Sequence, residues 1–123
     1  MGKKKVLIVD DSLYMRTIIQ DALTSGGFEI TGQAANGENA IDLALELNPD
    51  LITLDNILPD MLGLDILKTL KEEGLTSKII IISAVGQQSV VDEGLRLGAD
   101  GYIIKPFTPE KLLEVVRKVT STS

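Results

Sequence analysis

The sequence contains no cysteine and no histidine. Without cysteine there can be no disulfide, no thiolate nucleophile and no Cys-ligated zinc. Without histidine, imidazole acid–base catalysis, Ser-His-Asp triads and the histidine-bearing side of a phosphorelay are excluded too. Aromatic residues are only 3% of the chain, too few to favour a site that flanks a planar cofactor ring. Basic residues are the minority charge, 12 against 18 acidic, and the formal net charge of -6 disfavours nucleic-acid binding, which wants a basic surface. No segment approaches the roughly 20 apolar residues that cross a bilayer. After Lys3-Lys4-Lys5 the apolar run Val6 to Val9 stops at Asp10-Asp11, too soon for a signal-peptide core. The lysines read as a solvated approach to a first strand, and the expected location is the cytoplasm.

What is present suits one domain. A chain of 123 residues with 44% hydrophobic and 24% charged residues fills a single core. The expectation is one domain over 1–123, with a structured core from about 5 to 119 and a polar tail, Thr120 to Ser123, that frays.

Short apolar runs alternate with amphipathic stretches. Val6 to Val9 has the continuous β-branched character of a strand buried on both faces. Ser12 stands at a helix N-cap position, Met15, Ile18, Ile19, Ala22 and Leu23 form one helical face, and Gly26-Gly27 stops the helix. Phe28 to Ala34 is a second strand. Asn36-Gly37 opens a helix carrying Ala40, Ile41, Ala44 and Leu47, and Asn48-Pro49 ends it. Leu51 to Leu54 is a third strand that runs into Asp55. A helix from about Leu64 to Glu73 follows a loop with Pro59. Ile79 to Ile82 is a fourth strand ending in Ser83, and a helix from about Gln88 to Leu97 is weakened by Gly94 and closed by Gly98. Tyr102 to Ile104 is a fifth strand ending in Lys105-Pro106. Thr108 caps a last helix with Leu112, Val116 and Val119 inward. Strand–helix alternation with short connections predicts an α/β fold, a doubly wound parallel sheet with helices on both faces.

In such sheets the functional site lies beyond the carboxyl ends of the strands. Those ends carry Asp10-Asp11, Asp55, Ser83 and Lys105, while the second strand ends in Ala34-Ala35. Taken singly, each has an ordinary reading: a cap, a turn residue, a loop hydroxyl, a solvated lysine, and for Tyr102 a strand residue packed on the sheet. Their convergence on one edge is what points to chemistry. Three carboxylates held close repel unless a cation lies among them, and hard oxygen donors suit Mg²⁺. Such an ion and Lys105 would neutralise a phosphoryl group transferring to a carboxylate.

Val9-Asp10-Asp11-Ser12, Leu54-Asp55-Asn56-Ile57-Leu58-Pro59 with Gly63 beyond it, Ile82-Ser83-Ala84, and Tyr102 leading to Lys105-Pro106-Phe107 together resemble the response-regulator receiver family. Within it the chain is most similar to the stand-alone, chemotaxis-type members. The resemblance spans residues 5 to 119 and implies a five-stranded flavodoxin-like sheet of order 2-1-3-4-5. It implies Asp55 as phospho-acceptor, and Asp10 and Asp11 as the pair that organises Mg²⁺ (Mn²⁺ would substitute), one directly and one through water. Asp55 and the backbone carbonyl of Ile57 would be further ligands. Lys105 would contact the phosphoryl group, Ser83 would be the switch hydroxyl, and Tyr102 the aromatic residue that turns inward as that hydroxyl moves. Lys105-Pro106 is a cis candidate.

By the same resemblance the phosphodonor is a histidine kinase. The output is contact with a downstream protein, with a flagellar motor switch as the leading candidate and a phosphatase as a further partner. A monomer is expected, with no nucleic-acid or membrane partner. The protein would assist its own phosphorylation and dephosphorylation without being a metabolic enzyme. A phosphorelay shuttle, or a receiver trimmed from a longer regulator, is the alternative.

One departure stands out. Ile57, two residues after the acceptor, and Val85, two after Ser83, are apolar where the family often has polar side chains along the path of the hydrolytic water. A long-lived acyl phosphate is expected. Two remoter readings share parts of the pattern. A flavin-binding electron carrier wants a Ser/Thr/Gly-rich loop after the first strand, where this chain is acidic. An aspartyl phosphohydrolase wants a second carboxylate where Ile57 stands.

Overall fold

A computed structural model describes residues 2–121. The elements run β1 (Lys5–Val9), α1 (Leu13–Ser25), β2 (Glu29–Ala34), α2 (Gly37–Leu47), β3 (Leu51–Asp55), α3 (Gly63–Glu72), β4 (Lys78–Ser83), α4 (Gln88–Arg96), β5 (Gly101–Ile104) and α5 (Pro109–Ser121). All strand pairings are parallel and the sheet order is β2-β1-β3-β4-β5, as the resemblance implied.

The apolar runs become strands because both faces of the sheet are covered. Leu7, Val9, Ile52, Leu54, Ile79 and Ile81 face one core with Ala40 and Ala44 of α2 and Ile66, Leu67 and Leu70 of α3. The alternate residues Val6, Ile8, Leu51, Ile80, Ile82 and Ile103 face the other, with Ile19 and Leu23 of α1 and Leu112 and Val116 of α5. Two buried faces explain why β3 and β4 lack polar alternation.

Local signals set the helix ends. Ser12 Oγ accepts from the Met15 N–H at 3.2 Å, Asn36 Oδ1 from Asn39 at 2.9 Å, and Thr108 Oγ1 from Lys111 at 3.0 Å. Gly27 and Gly98 take φ of 93° and 112° just past α1 and α4, where a side chain would be strained.

Two expectations are corrected. Helix α3 starts at Gly63, one residue early, because Asn56 serves its first turn. The Gly63 N–H donates to the Asn56 carbonyl at 2.6 Å and the Leu64 N–H to Asn56 Oδ1 at 3.2 Å. Helix α5 continues through Thr120 to Ser121 instead of fraying after 119. The Thr120 hydroxyl donates to the Val116 carbonyl at 2.8 Å, and Val119 is buried against the core. The rest of the expected frayed tail, Thr122 and Ser123, lies outside the described residues. Among the described residues no helix is long and apolar enough to cross a membrane.

Candidate functional site

The carboxyl edge of the sheet gathers the residues that the sequence singled out. Asp10 follows the last residue of β1 and Asp55 ends β3. Parallel pairing sets Asp55 opposite Ile82, so Ser83 extends one residue beyond it on β4. Lys105 follows β5 and is anchored by its own backbone, whose N–H donates to the Ser83 carbonyl at 2.9 Å. Asp10, Asp55 and Ser83 are buried, while Asp11 is exposed.

Carboxylate oxygens of Asp10, Asp11 and Asp55 lie within 4.8 Å of one another. Lys105 Nζ reaches across them, 2.9 Å from Asp10 Oδ2 and 3.4 Å from Asp55 Oδ2. The Ser12 N–H donates to Asp10 Oδ1 at 2.9 Å and the Ile57 N–H to Asp55 Oδ1 at 3.2 Å.

Burial pushes the Asp55 carboxyl above its ordinary pKa, outweighing the Ile57 N–H and Lys105, and the neighbouring Asp10 charge adds to the rise. Burial alone would lower the Lys105 pKa, but the hydrogen bond to Asp10 and the charges of Asp55 and Asp10 hold it above the ordinary lysine value. Desolvation thus disfavours the ionised Asp55 carboxylate even with Lys105 in place. The donors of the cluster are all hard oxygens. Three oxygens so spaced need only a short inward closure around an ion whose ligands stand about 2.0–2.1 Å away, so the residues fit Mg²⁺.

Backbone closeness makes the loop after Asp55 specific. A Cβ added at Gly63 would lie 2.5 Å from the Asp55 carbonyl oxygen, so only glycine lets α3 start directly behind Asp55. Ile57 is 57% exposed, beside the site, and its backbone bridges to Leu62. No carboxylate occupies the position two residues after Asp55, as the sequence showed.

Ser83 and Tyr102 meet at one peptide segment. Ser83 Oγ accepts from the Val85 N–H at 3.1 Å, and the Tyr102 hydroxyl donates to the Val85 carbonyl at 2.6 Å. Val85, half-buried, is thus gripped from both the site and the β5 side. The Tyr102 ring lies over Gly94 of α4, where an added Cβ would stand 3.7 Å from its Cδ2. The Lys105–Pro106 peptide is cis.

Three contributors escaped the sequence reading. Asp60 caps the start of α2, accepting from the Gly37 N–H at 2.7 Å and the Glu38 N–H at 3.0 Å. Those two donors hold its carboxyl below the ordinary range. Asn56 serves α3, as above, and Arg16 reaches the Asp10 backbone carbonyl at 2.6 Å. Each acts across a distance in sequence that no local spacing reveals.

The family model for the response regulator receiver domain matches residues 6–117. The chain is 42% identical over 120 residues to the chemotaxis protein CheY of Thermotoga maritima, covering 98% of this chain and 99% of that one. To CheY of Bacillus subtilis it is 41% identical over 114 residues, covering 93% and 95%. It is also similar to the solved CheX–CheY–BeF₃–Mg²⁺ complex from Borrelia burgdorferi. There the TM-score is 0.92 at 36% identity, over 96% of this chain and 90% of that one.

Proposed function

This chain belongs to the response regulator receiver domain family of two-component signalling, and on that premise we propose that Asp55 accepts a phosphoryl group from a phosphohistidine kinase. The observation that carries this reading is the Asp55 carboxylate. It sits buried at the end of a central strand, beside Lys105 Nζ and within ion-binding distance of Asp10 and Asp11.

In the transfer, an Asp55 carboxylate oxygen attacks phosphorus. The P–O bond forms as the P–N bond to the donor imidazole breaks, and the imidazole nitrogen keeps the electron pair and takes up a proton. Asp10, Asp11, Asp55 and the Ile57 carbonyl would hold Mg²⁺, with Mn²⁺ as a substitute. The ion would supply charge neutralisation for the phosphoryl oxygens. Lys105 is already placed to move from the carboxylates to the phosphoryl oxygens. Reversal comes when water attacks phosphorus, releasing inorganic phosphate and restoring the carboxylate. The protein thereby assists its own modification and its loss.

The grip on Val85 supports the switch. If the Ser83 hydroxyl turns to the phosphoryl group, the Val85 N–H loses its acceptor, and the segment that also holds the Tyr102 hydroxyl is freed to move. The face of α4, β5 and α5 would then change toward a protein partner. We favour a flagellar motor switch, in the cytoplasm, because the relatives bear chemotaxis names. The similar Borrelia protein was solved with CheX, BeF₃ and Mg²⁺, and by that likeness this chain would take BeF₃ and Mg²⁺ at its acid edge.

Melting the protein with Mg²⁺ and beryllofluoride tests the reading. The melting temperature should rise for the native chain and stay flat for Asp55→Asn. An equal rise in both, or none in either, contradicts it. A pull-down with beryllofluoride-treated protein then names the partner. Recovery of a second histidine phosphotransfer protein in place of a motor component would favour a relay shuttle.

A further inference from the structure

We propose that Arg16 is the positioning residue of the acid pair: its guanidinium fixes the peptide joining Asp10 to Asp11 and thereby sets the affinity of the site for Mg²⁺. The inference rests on the proposed function, since it concerns the same site.

The geometry starts at the end of β1. The carbonyl that receives Arg16 Nη1 at 2.6 Å belongs to the Asp10–Asp11 peptide itself. Turning that peptide would swing the Asp11 side chain relative to Asp10. Asp10 is otherwise held at each polar atom. Its N–H donates to the Ala34 carbonyl at 3.0 Å, Oδ1 accepts from Ser12 at 2.9 Å, and Oδ2 meets Lys105 at 2.9 Å. Asp11 is exposed and, among the described residues, has no such set of restraints, so the carbonyl before it is where its direction is fixed.

Arg16 is itself held in place. Its Nε donates to Gln33 Oε1 at 3.0 Å, and Gln33 Nε2 in turn donates to Gln20 Oε1. The network runs from α1 to β2 and back to α1, and Arg16 is half-buried within it. Among the described residues Arg16 forms no ion pair, so its charge is directed at a backbone carbonyl and not at a carboxylate. One acceptor just past β1 and another on β2 need two donors fixed in one plane. The guanidinium has that shape, and an ammonium on a flexible stem does not. Groups that orient metal-binding side chains without touching the ion commonly change affinity by about 10- to 100-fold when removed.

Calorimetric titration with MgCl₂ alone, on the native chain, Arg16→Lys and Gln33→Leu, tests the proposal, with melting temperatures taken without metal. Arg16→Lys should weaken Mg²⁺ binding roughly tenfold or more, and Gln33→Leu should weaken it less. Phosphoryl uptake by Arg16→Lys should recover as Mg²⁺ is raised. A role confined to packing would lower the metal-free melting temperature and leave the Mg²⁺ affinity within about twofold of native, and that result overturns the inference. If Arg16→Lys does not fold, Gln33→Leu decides on the same criterion. A native chain that binds no Mg²⁺ overturns the proposed function and this inference with it.

Discussion

Burial makes the ionised Asp55 carboxylate a burden on the folded state that Lys105 offsets only in part. Its pKa lies above the ordinary 3.8 in the folded chain. Folding is therefore favoured while the group is protonated, and that advantage is lost as pH rises through the raised value. In metal-free buffer at neutral pH, Asp55→Asn should melt at a higher temperature than the native chain. The gap should close as pH falls below the ordinary carboxylate value, and Mg²⁺ should narrow it at neutral pH; a neutral-pH melt in which Asp55→Asn is the less stable would contradict this. Thr53, two residues earlier on the same strand, has a buried hydroxyl with no hydrogen-bond partner among the described residues. Thr53→Val keeps the shape and removes the polar atom, and should stabilise by about 1 kcal/mol in chemical denaturation. By the family resemblance the side chains of Ile57 and Val85 would line the path of a hydrolytic water, and being apolar they would offer it no hydrogen bond. Decay of the acyl phosphate should be faster in Ile57→Asn and Val85→Glu than in the native chain. Unchanged lifetimes would remove that idea.

Helix α2 begins where the loop after Asp55 docks, and Asp60 is the tie between them. Its two backbone donors depress its pKa below the ordinary 3.8, so its contribution is present above that value and is lost as pH falls through the folded value. Asp60→Asn should lower the melting temperature at neutral pH, and the difference from the native chain should shrink in acid. A neutral-pH melting temperature equal to native would show that the cap contributes nothing. At this scale the sequence spoke clearly wherever the signal was local. Ser12, Asn36 and Thr108 announced their caps, and the isoleucine run announced β4. Gly94 made α4 doubtful by propensity, yet the helix forms. There the glycine is buried against Leu64 and the Tyr102 ring, so tertiary packing outweighs the propensity. Asp60 and Arg16 were silent because their partners come from elsewhere in the fold, 22 to 23 residues away for Asp60, and just past β1 and on β2 for Arg16.

The molecule as a whole places chemistry by topology. With β1 and β3 adjacent at the centre of the order β2-β1-β3-β4-β5, their carboxyl ends must bring Asp10 and Asp55 together, and β4 and β5 add Ser83 and Lys105 beside them. This much was legible because a doubly wound sheet allows few arrangements, and the chain's acidic and hydroxyl residues fall at the strand ends. The exact contacts were not legible. The sequence could align Ser83 with Tyr102 but not show that both hold Val85. It could name Lys105 but not that it spans Asp10 and Asp55. At this edge a phosphoryl group would transfer to one carboxylate. Reaction with a small acyl phosphate donor, borohydride trapping and peptide mass mapping test it most directly. Modification should fall on Asp55, require Mg²⁺ and vanish with chelator. Modification at another residue, or Mg²⁺-independent labelling of Asp55, would contradict it.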